Sequence, residues 1–128
     1  MSITYRVIER GEPGVAGGGT KQFYPIAKVR SRISLHGLSK QISRMSSLSR
    51  PDVLAVLEAL TVLVPEHLLM GRLVELGNLC TLRIGLNAGP SATAEEVGSS
   101  NVKRVRTLFN PARELRDALK SASFEKVG

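Results

Sequence analysis

The 128-residue sequence predicts an α+β fold, and three observations carry that prediction. Short β-branched and aromatic runs occupy the first thirty residues and recur after residue 72. Between them lie two stretches with helical spacing of apolar residues. Glycine and proline mark the joints between these stretches: Gly11 to Gly19, Pro51, Gly71, Gly77 and Pro111.

Taken in order, Ile3 to Glu9 reads as a strand. Gly11 to Gly19 holds five glycines and a proline and reads as a flexible loop. Phe23 to Arg30 reads as a second strand, with Pro25 placing it near an edge or a bulge, so the two strands are expected to pair as an antiparallel hairpin. A helical region begins near Ser34, where Leu35, Leu38, Ile42 and Met45 share one face. Gly37 weakens it by about 1 kcal/mol relative to alanine, and Ser46-Ser47-Leu48 ends it.

A second helix starts at Ser49-Arg50-Pro51-Asp52, with Ser49 as cap and Pro51 in the first turn. Val53, Leu54, Val56, Leu57, Leu60, Val62, Leu63, Val64, Leu68 and Leu69 make it apolar almost all round. A helix of that kind has to be covered on most sides. A chain this short has little to cover it with, which predicts a homodimer. Pro65 is expected to kink or interrupt the helix, and Gly71 to stop it.

Leu73 to Leu76 and Thr81 to Leu86 read as strands joined by a tight Gly77-Asn78 turn. Asn87 to Asn101 is small and polar, and Val102 to Leu108 reads as a strand. Asn110-Pro111 predicts a last helix, with Asn110 as cap and Pro111 at its first position. Phe124 to Val127 reads as a short strand or a tail. The domain division is then 1–33 for an N-terminal β extension, 34–122 for the main domain and 123–128 for the end segment.

The net charge of +7 belongs entirely to the first 50 residues. They carry nine Lys/Arg against Glu9 and Glu12, whereas nine bases and nine acids cancel in residues 51–128. A basic excess held in one part of a chain makes a positive face that attracts polyanions. Aromatics are 4% with no Trp, which argues against a binder of single strands built on stacked bases. The single cysteine, Cys80, excludes an internal disulfide and a cysteine-based zinc site. No apolar run reaches the ~18–20 residues that cross a bilayer, and the first residues have no apolar signal region, so a cytoplasmic protein with no membrane partner is expected.

No residue pattern points to catalysis. Gly14 and Gly19 have phosphate-loop spacing, but Thr20-Lys21 reverses the Lys-Ser/Thr order and leads into a strand. His36 and His67 lack neighbouring ligands, and Glu95-Glu96 sits in a polar loop. A non-enzyme without cofactor, metal or small-molecule substrate is expected.

The order helix, helix, two strands, polar arm, strand, helix resembles the HU and integration host factor family of DNA-bending proteins. Leu48-Ser49-Arg50 before the Ala/Leu-rich helix looks like that family's second-helix start. Gly71 matches its turn into the sheet, and Phe109-Asn110-Pro111-Ala112-Arg113-Glu114-Leu115-Arg116-Asp117-Ala118-Leu119 resembles its closing segment. The match covers roughly residues 34–120, and the strands before it look like the HU-related branch that carries an N-terminal extension.

The resemblance implies an intertwined dimer with a helical base, a three-stranded antiparallel sheet bearing a β-arm, and a C-terminal helix, here with an added N-terminal β-hairpin. It implies double-stranded DNA as partner, a nucleoid location, and a histone-like, architectural role with low sequence specificity. It places Arg83, Lys103, Arg104 and Arg106 at the base of the arm, Arg113 and Arg116 at positions that contact phosphate, and Pro90 as the possible arm wedge. The sequence also departs from the pattern. The family's Gly-Phe-Gly-Thr-Phe turn appears as Asn78-Leu79-Cys80-Thr81-Leu82. The arm from Ile84 to Val102 has no Lys or Arg and carries Glu95 and Glu96. Those departures leave a second expectation, a dimeric HU-fold scaffold for protein–protein contact with weak or no DNA binding.

Overall fold

The computed structural model describes residues 2–128 and divides them into two compact units. One unit runs from the N-terminus through Ser34 and includes Ala118–Gly128. The other is Leu35–Asp117.

In the first unit, strand β1 (Ser2–Arg10) pairs antiparallel with β2 (Gln22–Ala27), as the hairpin expectation has it. Pro25 sits opposite Val7 on β2, an edge strand, where a missing N–H costs no ladder bond on the open side. The end segment is a strand rather than a tail: it forms a parallel pair with β1, from Ser2 opposite Ser123 to Tyr5 opposite Lys126, and completes a three-stranded sheet. Thr4 is the buried residue of this sheet, and its hydroxyl donates to the Lys28 carbonyl at 2.9 Å.

In the second unit, α1 (Leu35–Met45) and α2 (Arg50–Leu69) form the helical part. Ser49 caps α2 by accepting from the Asp52 amide at 3.3 Å, as its position in sequence predicts. Pro65 does not interrupt the helix, which continues unbroken to Leu69. Proline deletes one amide donor, and four further residues of helix carry the chain past that gap. Gly71 follows the helix with φ +76°, a conformation that favours glycine, and so ends it.

The sheet of this unit has the order β3 (Val74–Leu76), β4 (Cys80–Ala88), β5 (Val102–Pro111), all antiparallel. Strands β4 and β5 are longer than their sequence patterns suggest and form a two-stranded ribbon. The expected cap at Asn110 is corrected: Asn110 pairs with Thr81, and Pro111 ends the strand opposite Cys80. The fixed φ of proline suits a strand end as well as a first helical turn. The last helix, α3, is therefore shorter, Arg113–Leu119, and begins after Ala112, whose amide bonds the Leu79 carbonyl at 2.9 Å.

Burial is sparse. Among the described residues the buried apolar side chains are Val53 and Cys80, at 3% exposure each. Helix α2 leaves Val56 63%, Val62 66%, Leu63 48% and Leu69 86% exposed. Among the described residues no helix is long and apolar enough to cross a membrane.

Candidate nucleic-acid interface

The β4–β5 ribbon is two-faced because its register separates residue types. Arg83 lies opposite Leu108, Gly85 opposite Arg106 and Asn87 opposite Arg104. Directly opposed residues of an antiparallel pair share a face, so Arg83, Arg104 and Arg106 stand on one side. Ile84, Leu86, Val105 and Thr107 occupy the other. All three arginines are exposed. Lys103 sits where the register shifts between Asn87 and Ala88, at a bulge that interrupts the alternation.

Two neighbours that sequence reasoning missed set the arginines in place. With the Asn87 side-chain amide turned so that its oxygen faces Arg104, that oxygen accepts from Arg104 Nε at 2.7 Å and Nη2 at 3.0 Å. That bidentate contact fixes the guanidinium plane and leaves three of its five N–H donors free for a ligand. Gly85 provides room for Arg106. A Cβ at that glycine would lie 3.0 Å from Arg106 Nε and 3.1 Å from Leu108 Cδ1. The signal for Gly85 was legible, since glycine inside a strand marks close approach of another group. Nothing in the local sequence marks Asn87.

The arm tip is a closed structure. Gly89 and Asn101 face each other, with the Gly89 amide bonding the Asn101 carbonyl at 2.8 Å. The Asn101 side chain accepts from the Gly98 amide at 2.8 Å and donates to the Gly89 carbonyl at 3.1 Å and to Ser91 Oγ at 2.8 Å. Two 3-10 turns, Ala94–Glu96 and Ser99–Asn101, fill the loop. Pro90, Glu95 and Glu96 are exposed on it.

Helix α3 carries Arg113 and Arg116, both exposed. Arg113 Nε is 3.6 Å from Asp117 Oδ2, with the two side chains 84% and 51% exposed. Such a surface pair contributes about 0–1 kcal/mol and yields readily to a competing anion. The six cations are thus distributed as three on one ribbon face, one at the bulge and two on α3.

The sequence profile described as "HU domain fused to wHTH, Ig, or Glycine-rich motif" matches residues 1–126. The chain belongs to the HU-HIG family. That membership covers the N-terminal strands as well as the HU-like part. Among solved structures, the HU-HIG chain is similar to a crystal structure from Bacteroides vulgatus described as that of a candidate bacterial DNA-binding protein. The two share 14% identity at a TM-score of 0.62, which establishes a likeness of fold. The alignment covers 100% of this HU-HIG chain and 50% of the other, so this chain spans half of the neighbour's length. No curated protein matches the sequence.

Proposed function

We propose that this HU-HIG protein is an architectural, nucleoid-associated binder of duplex DNA that acts as a homodimer, through backbone contacts with little sequence reading. The observation that carries the reading is the row of Arg83, Arg104 and Arg106 on one face of the β4–β5 ribbon. Guanidinium groups are suited to phosphate, and phosphate contacts position a protein without specifying bases. Arg113 and Arg116 on α3 and Lys103 at the bulge extend the set. The homodimer is supported by the exposed α2 surface, since a chain with two buried apolar residues among those described lacks a core of its own.

The test is a duplex-binding titration against salt. Affinity is expected to fall linearly on a log–log scale and to vary little between sequences. Salt-independent binding, or none at low salt, favours the second reading, a dimeric scaffold for protein contact. The arm's lack of Lys and Arg between Ile84 and Val102 speaks for that alternative.

The closed, acidic tip bears on bending. With Glu95 and Glu96 at the end of the arm, the tip repels a polyanion, and DNA rests on the arm base with weak bending. Glu95→Lys with Glu96→Lys is expected to tighten binding, and Pro90→Ala to leave the bend angle of a short duplex unchanged by fluorescence energy transfer. A large wild-type bend that collapses in Pro90→Ala would show that the tip works as a wedge.

A further inference from the structure

We propose that one face of the N-terminal sheet is a second polyanion-binding surface, which seats the phosphate backbone of duplex DNA. The proposal rests on the reading of this chain as a DNA binder and adds a site to it.

Register also sets the β1 cations of this sheet on one face. Ile3 opposite Phe124, and Val7 opposite Pro25, lie on the apolar face, and Glu9 opposite Phe23 falls on that same side. Arg6 opposite Ile26, Ile8 opposite Tyr24 and Arg10 opposite Gln22 lie on the other face, so the two arginines flank an apolar pair. Lys28 continues that face from the end of β2: its amide bonds the Thr4 carbonyl at 2.8 Å, and the Thr4 hydroxyl bonds its carbonyl in return. The chain then leads directly through Arg30 and Arg32.

All five cations are exposed. The acid on this face is Glu125, opposite Thr4, and it is held by Arg30 at 3.8 Å. Arg6, Arg10, Lys28 and Arg32 make no ion pair among the described residues. Arg6 and Arg10 alternate to one side of β1 while Glu9 alternates to the other, a directed arrangement unlike a charge spread for solubility. Arg6 and Arg10 are four residues apart on one strand, a separation of about 13 Å. That distance spans about four base-pair steps of about 3.4 Å each along a duplex.

The test uses the full chain and the same salt titration. Arg6→Gln with Arg10→Gln is expected to make the log–log slope shallower by about 1.8, at about 0.9 for each lost phosphate contact. Between 50 and 200 mM salt the wild type then loses about twelve-fold more affinity than the variant. Arg6→Lys with Arg10→Lys is expected to keep the wild-type slope. Lys21→Gln with Lys126→Gln removes the same charge from the same unit but outside this face, and is expected to leave the slope as in wild type. Circular dichroism verifies that each variant is folded. Equal effects of the two glutamine pairs would reduce the face to diffuse net charge and overturn the proposal. A wild-type slope in Arg6→Gln/Arg10→Gln, with the slope still changed by loss of the ribbon arginines, would overturn it while leaving the DNA reading intact. Absence of duplex binding by the wild type at 50 mM salt would remove both.

Discussion

Leu63→Glu is expected to abolish both association and stable folding. Leu63 is 48% exposed on α2, beside Leu60 at 40% and Val56 at 63%, in a chain whose buried apolar residues are Val53 and Cys80 among those described. In the proposed two-fold dimer, a leucine buried in the seam contributes about 1.5–3 kcal/mol, and each substituted position occurs twice. The variant loses that contribution and places a carboxylate against apolar neighbours, at a further cost of several kcal/mol. Sedimentation and circular dichroism measure the two losses, and the wild-type melting temperature is expected to rise with protein concentration. A folded wild-type monomer at micromolar concentration would remove the basis for the dimer.

Replacing Arg83, Arg104 and Arg106 together by glutamine is the largest expected effect on DNA. Three lost contacts flatten the salt slope by about 2.7, which is about forty-fold in the affinity change between 50 and 200 mM. The loss is expected to be equal on unrelated duplex sequences, because the proposed contacts are to phosphate. Gly85→Val approaches the same row without removing a charge. Its Cβ alone meets Arg106 Nε at 3.0 Å, so the guanidinium has to give by a few tenths of an ångström, and the two valine methyls crowd it further. A smaller loss than in the triple variant is expected, with β-sheet content retained. Unchanged binding in Gly85→Val would mean that the position of Arg106 is immaterial.

What the sequence made legible was local. Ser49 and Pro51 marked the start of α2 because cap chemistry lies within one turn of the chain. The strand-and-turn pattern at Gly77 was clear for the same reason, and glycine there has φ +54°. Asn110-Pro111 misled because its local chemistry serves both a helix start and a strand end, and pairing with Cys80 and Thr81 decided between them. The cations of the candidate site were readable as residue types on a strand. Their common face was not, since it depends on which β4 residue meets which β5 residue. Asn87 and Asn101 lay further out of reach, because each acts through a partner ten or more residues away.

The parallel pairing of β1 with β6 has a consequence for the order in which the molecule assembles. Ser2 and Ser123 hydroxyls meet at 3.0 Å across 121 residues of chain. During synthesis β1 emerges before β2 and finds it within a few tens of residues, but its other edge stays open until β6 has been made. Closing so long a loop carries an entropy cost that local pairing avoids, and contacts of large sequence separation form slowly. The N-terminal sheet therefore cannot be completed until β6 has been made, long after β1. Until then β1 presents an unpaired strand edge to any other growing chain nearby.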